Sequence, residues 1–116
     1  MLSLAHKITS ALIILLGILH CVFTAWNYDQ FTLDAMWFFG TGVAIILAGF
    51  LNVTVIRTSG GDRIVNLLCL TTNLAFVILF IVALMLLSQP QVLVGIALFA
   101  VAAVLVAVKS LSHLTH

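Results

Sequence analysis

The sequence predicts an all-α polytopic membrane protein, an antiparallel bundle of four transmembrane helices. Three observations carry this expectation. Of 116 residues, 65% are hydrophobic and only 6% charged, against about 25% charged in an ordinary water-soluble domain. The apolar residues fall into four runs, about 8–26, 35–56, 64–87 and 92–108, whose interiors hold no Asp, Glu, Lys or Arg. Each run approaches or exceeds the roughly 20 residues that a helix needs to cross a ~30 Å hydrocarbon core. Backbone in lipid must satisfy its own polar groups, which leaves helices or a closed barrel. Barrel strands alternate in polarity over about ten residues, and these runs do not. Four spans use about 80 positions, so a single transmembrane domain over residues 1–116 is expected, with no soluble domain.

The first run exceeds the 7–15 apolar residues of a cleaved signal, and no clear A-x-A site follows it; it reads as a permanent span. Ser10, Gly17 and Thr24 recur along it at sevens, with His20 and Asn27 on the same face. The polar link Asn27–Asp34 follows, and Thr32 or Asp34 is placed to cap the second helix. In the second run Ala44, Ala48 and Asn52 repeat at fours beside Gly42 and Gly49. Arg57-Thr58-Ser59-Gly60-Gly61-Asp62-Arg63 reads as a tight turn, with Asp62 as the cap of the third helix. That helix carries Asn66 and Asn73 seven apart, with Thr72 alongside. Ser88-Gln89-Pro90-Gln91 is the last turn, with Pro90 where a helix tolerates a missing N–H. The fourth run holds a row of Ala97, Ala100, Ala103, Ala107 and Ser110. Links this short make sequential helices antiparallel neighbours. Close approach of small residues, not a hydrophobic drive, holds helices together in lipid. The small-residue rows should therefore face inward, and the row on the fourth span is also a candidate homo-oligomer contact.

Charge sets the expected orientation. Lys7, Arg57, Arg63 and Lys109 fall on one side of this layout, while Asp29, Asp34, Trp26, Tyr28 and Trp37 gather at the other. A four-to-none basic bias predicts both termini in the cytoplasm, in a bacterial inner membrane, with the tryptophans at headgroup level. The lipid bilayer is the expected partner. A net charge of +1 offers no footprint for nucleic acid.

His20 is the imidazole expected within a span, about 9 Å below the aromatic boundary. An ionisable group at that depth needs partners, and Thr24, Asn27 and Asp34 are the nearest in sequence. A His20–Asp34 pair would make a proton- or ligand-sensitive site. A polar track from Asn52 and Asn66 through Thr72 and Asn73 to His20 is the second expectation. His6 and His20 stand about 21 Å apart along one helix, so a bis-histidine haem within one chain is not expected; paired His20 residues of a dimer are the alternative, and the sequence names no cofactor. His6, His113 and His116 are the remaining metal-ligand candidates, without a carboxylate or thiol close by in sequence. Cys21 and Cys69 differ in depth by about 15 Å, too far for a disulfide.

In length and span count the chain resembles the small multidrug resistance transporters, but it lacks the first-helix glutamate on which they depend, having no glutamate at all. It shares a four-helix outline with quinone-linked thiol oxidoreductases but has no redox Cys pair. In span pattern alone it is similar to the DoxX-like group of four-helix membrane proteins, which implies no function. Three functions remain as expectations. The first is a non-enzymatic subunit, accessory factor or binder of a small apolar or lipid-like ligand near His20, Trp26, Trp37 and Asn73. The second is an oligomeric transporter or channel lined by His20 and Asn73. The third is an intramembrane enzyme with His20 as its base.

Overall fold

The computed structural model describes residues 1–114, and these form four long helices: α1 (Leu2–Asn27), α2 (Leu33–Arg57), α3 (Arg63–Leu86) and α4 (Pro90–Leu114). All four are long and apolar enough to cross a membrane. Sequential helices pack antiparallel, and α1 against α4 closes the ring. One end of the bundle gathers the start of α1, the end of α4 and the α2–α3 link, with Lys7, Arg57, Arg63 and Lys109; we call it the basic end. The other, the aromatic end, carries Trp26, Tyr28, Trp37 and the other two links.

Local chemistry sets the helix boundaries. The Thr32 hydroxyl accepts the Ala35 N–H at 3.3 Å and starts α2. The Asp62 carboxylate accepts from Ile64 and Val65 and starts α3, and Pro90 opens α4. α2 ends in a Schellman motif: Gly60 N–H reaches the Val55 carbonyl and Ser59 N–H that of Ile56. The motif places Ser59 in the left-handed region (φ 53°), and Gly60 follows it with φ 74°. At Gly60 a Cβ would also lie 3.0 Å from the Lys109 Cβ, so glycine serves both geometry and packing there.

α1 and α2 cross with almost no side chain between them. A methyl on Gly17 would stand 2.8 Å from the Gly42 carbonyl oxygen, and one on Gly42 would stand 2.9 Å from that of Gly17. The glycine rows read from the sequence are therefore the contact line of the first hairpin. α3 and α4 pack through rings instead. Phe76 stacks on Phe99 at 4.6 Å, and Phe80 covers Gly95. The waist of the bundle is filled where Ile13, Ile45 and Phe99, all fully buried, meet Phe76.

The alanine row expected to face inward on α4 does so only in part. Ala103 is buried, Ala100, Ala107 and Ser110 are half-buried, and Ala97 is exposed. The inward line is Gly95, Phe99, Ala102 and Val106. These follow the helical repeat of three and four, rotated slightly from the small-residue row by the need to seat Phe99.

Candidate functional site

Two polar features lie inside this apolar bundle. The first is a hydrogen-bonded chain with members on all four helices. The Lys109 ammonium (α4) meets His6 Nδ1 (α1) at 2.7 Å, and His6 Nε2 meets Asn52 Oδ1 (α2) at 2.9 Å. Asn52 and Asn73 (α3) then exchange amide bonds both ways, at 2.9 and 3.0 Å, and Asn73 Nδ2 also donates to Cys69 Sγ at 3.6 Å. His6, Asn52 and Asn73 are all 0% exposed.

One backbone carbonyl fixes the direction of the whole chain. Asn52 Nδ2 donates to Ala48 O at 2.9 Å, so its Oδ1 is the side facing His6 and the Asn73 amide. His6 must then donate from Nε2, which leaves Nδ1 as the acceptor for the Lys109 ammonium. A second proton on Nδ1 would point at that ammonium. At 1.5 Å per residue, His6 lies about 6 Å and Asn73 about 15 Å along their helices from the basic end, so the chain descends from the boundary toward mid-membrane. Every link is internal, and the chain binds four helices to one another.

The second feature is at the aromatic end, where the hairpins separate. His20 is half-buried and stacks flat on Phe38, with ring centroids 3.8 Å apart and planes at 16°. This pair stands between two adjoining hollows. The larger, about 560 Å³, lies between α1 and the start of α4; Phe23, Asn27 and Tyr28 wall it opposite Gln89 and Val94. The smaller, about 210 Å³, reaches inward to Ile45 and Phe80. Both are lined by Leu16, Leu87, Gln89 and Gln91 as well as the stacked rings, and Gln91 donates to Gln89 within the α3–α4 link.

The structure thus regroups the residues singled out from the sequence. The track from the asparagines leads to His6 and Lys109, not to His20, because Asn52 and Asn73 face the basic end of α1. Thr72 spends its hydroxyl on the Leu68 carbonyl and stands outside the chain. Asn66 donates to Gly60 O at 2.7 Å and braces the α2–α3 turn. Nor does Asp34 pair with His20. It is exposed in the first turn of α2, and Thr24 donates to the backbone carbonyl of His20, not to its ring. Trp26 and Trp37 are 73% and 66% exposed, which turns them away from the cleft. His6 is a buried helix residue, not an end residue: α1 begins six positions earlier than the apolar run suggested. His113 meets the Ser59 carbonyl at 2.6 Å, and His116 lies outside the described residues. No group of three or more potential metal-binding side chains forms among the described residues.

Three cleft residues escaped the sequence reading. Phe38 looked like any apolar residue of a span, and Gln89 and Gln91 looked like turn residues. Only Phe38 carried a usable signal, since it lies one turn beyond Asp34 on the face that meets α1. No protein-family model, curated protein or solved structure matches the chain.

Proposed function

We propose that this is a non-catalytic membrane protein that holds a small lipid-like molecule in the cleft at His20. The observation that carries the reading is the pair of hollows around the His20–Phe38 stack. They combine apolar walls with imidazole and amide groups, the mixture expected of a site that orients an amphiphile. Gln89, Gln91 and Asn27 offer hydrogen bonds to a polar head, while Leu16, Leu87 and Phe80 receive the apolar part. A transport path through one chain is disfavoured by the filled waist at Ile13, Ile45 and Phe99. The basic bias further supports a cytoplasmic basic end in a bacterial inner membrane.

Native mass spectrometry of the chain purified in mild detergent tests the reading. A retained molecule is expected that His20→Ala and Phe38→Ala release and Trp26→Ala keeps. Recovery of nothing beyond exchangeable bulk lipid, or equal retention by all three variants, would overturn it. Orientation is checked with membrane-impermeant thiol reagents on Ser3→Cys and Gln30→Cys; only the latter should react in intact cells.

A further inference from the structure

The basic end carries a hollow of its own, about 250 Å³, cut between α3 and α4 and floored by Gly60. Its α3 wall is Arg63, Asn66, Leu67 and Leu70, and its α4 wall is Ser110, His113 and Leu114. Positions 63, 67 and 70 share one helix face, and each turn carries the groove about 5 Å further into the bundle. A cation therefore stands at the rim, and leucines lie beneath it.

The cation is available for a ligand. Arg63 is exposed, and the neighbouring Asp62 carboxylate turns its Oδ1 to the Ile64 and Val65 N–H groups instead of pairing with the guanidinium. His113 is anchored across the turn by the Ser59 carbonyl, which holds its ring at the rim. Beside the floor, Asn66 is 4% exposed, and its amide orientation is fixed by its bond to Gly60 O. Its Oδ1 is left as a buried acceptor without a partner.

We infer that this α3–α4 groove binds the headgroup of an anionic phospholipid, with its phosphate on Arg63 and its acyl chain along Leu67 and Leu70. Charge complementarity selects the anion, since one guanidinium at the boundary favours an acidic headgroup. The leucines select a lipid over a free ion. Phosphatidylglycerol carries a net negative charge at its headgroup and phosphatidylcholine does not, so the pair reads out the charge that Arg63 selects. The groove is at the opposite end from the His20 cleft and does not depend on it.

The full chain in detergent is titrated with short-chain phosphatidylglycerol and, in parallel, with phosphatidylcholine of the same chains, with bound copies counted by native mass spectrometry. Phosphatidylglycerol should bind at least about fivefold more tightly, the factor for one favourable basic contact. Arg63→Gln should abolish that preference. Arg57→Gln, which removes a charge from the same end but outside the groove, should preserve it, as should His20→Ala. Glycerol phosphate at equal concentration should not displace the lipid. Equal binding of the two lipids by the unaltered chain would overturn the inference, as would equal losses in Arg57→Gln and Arg63→Gln. Displacement by glycerol phosphate would overturn the lipid assignment in favour of a free-anion site.

Discussion

His6 and His20 sit on one helix, fourteen positions apart, yet occupy opposite situations. His6 is fully buried, uses both ring nitrogens, and is tied through Asn52 to Asn73 and through Lys109 to α4. His20 is half-buried, rests its face on Phe38, and borders open volume. The same side chain is thus a fastener at one end and a cleft wall at the other. What differs is the set of residues that facing helices bring to it, not depth or spacing along α1. Polar groups offered by two neighbours close a site, whereas a single aromatic neighbour leaves it open.

The contrast is broken most severely at Asn52. Asn52→Leu strands the His6 Nε2–H and the Asn73 Oδ1, leaves the Asn73 amide N–H only the Cys69 sulfur, and should cost about 3 kcal/mol in an equilibrium unfolding titration in mixed micelles. Adding Asn73→Leu should cost less than the two single changes summed, by about 1 kcal/mol, because the second replacement removes groups already orphaned. Gly42→Ala tests the hairpin itself. Its methyl meets the Gly17 carbonyl at 2.9 Å and should cost about 2 kcal/mol in the same titration, because backbone cannot swing aside. His20→Ala should cost less than about 1 kcal/mol, the worth of one ring stack, while removing the retained ligand. A loss matching that of Asn52→Leu would erase the distinction between fastener and cleft wall. Gly40→Ala is the smallest effect: a methyl there meets nothing within 4 Å, so stability should hold or rise by about 0.5 kcal/mol.

What the sequence disclosed divides along the same line. The four spans, the Thr32 and Asp62 caps and the start at Pro90 depend on residues within one turn of each other, and all are readable from composition and spacing. So is the α1–α2 contact, because only glycine lets two backbones come so close. The polar chain was half legible. Asn52 and Asn73 were evident as polar residues in spans, but their partner was sought at His20 instead of His6. His6 lay outside the apolar run because Lys7 follows it, although its spacing of four from Ser10 and seven from Ile13 places it on the buried face. Lys109 was counted only as an orienting charge. Its role as a donor to His6 depends on α4 closing the ring beside α1, which no pattern within a single helix encodes. The cleft was least legible, since a hollow is a property of how hairpins diverge.

The division of the polar chain between hairpins has a consequence for biogenesis. His6 and Asn52 belong to the first pair of helices and Asn73 and Lys109 to the second, so α1 and α2 can associate as soon as both have left the ribosome. At that moment Asn52 still has an unspent N–H and lone pair, which in the folded chain Asn73 satisfies. The nascent half is thereby adhesive toward α3, and the two halves synthesised as separate polypeptides should recombine into one particle in the same cell.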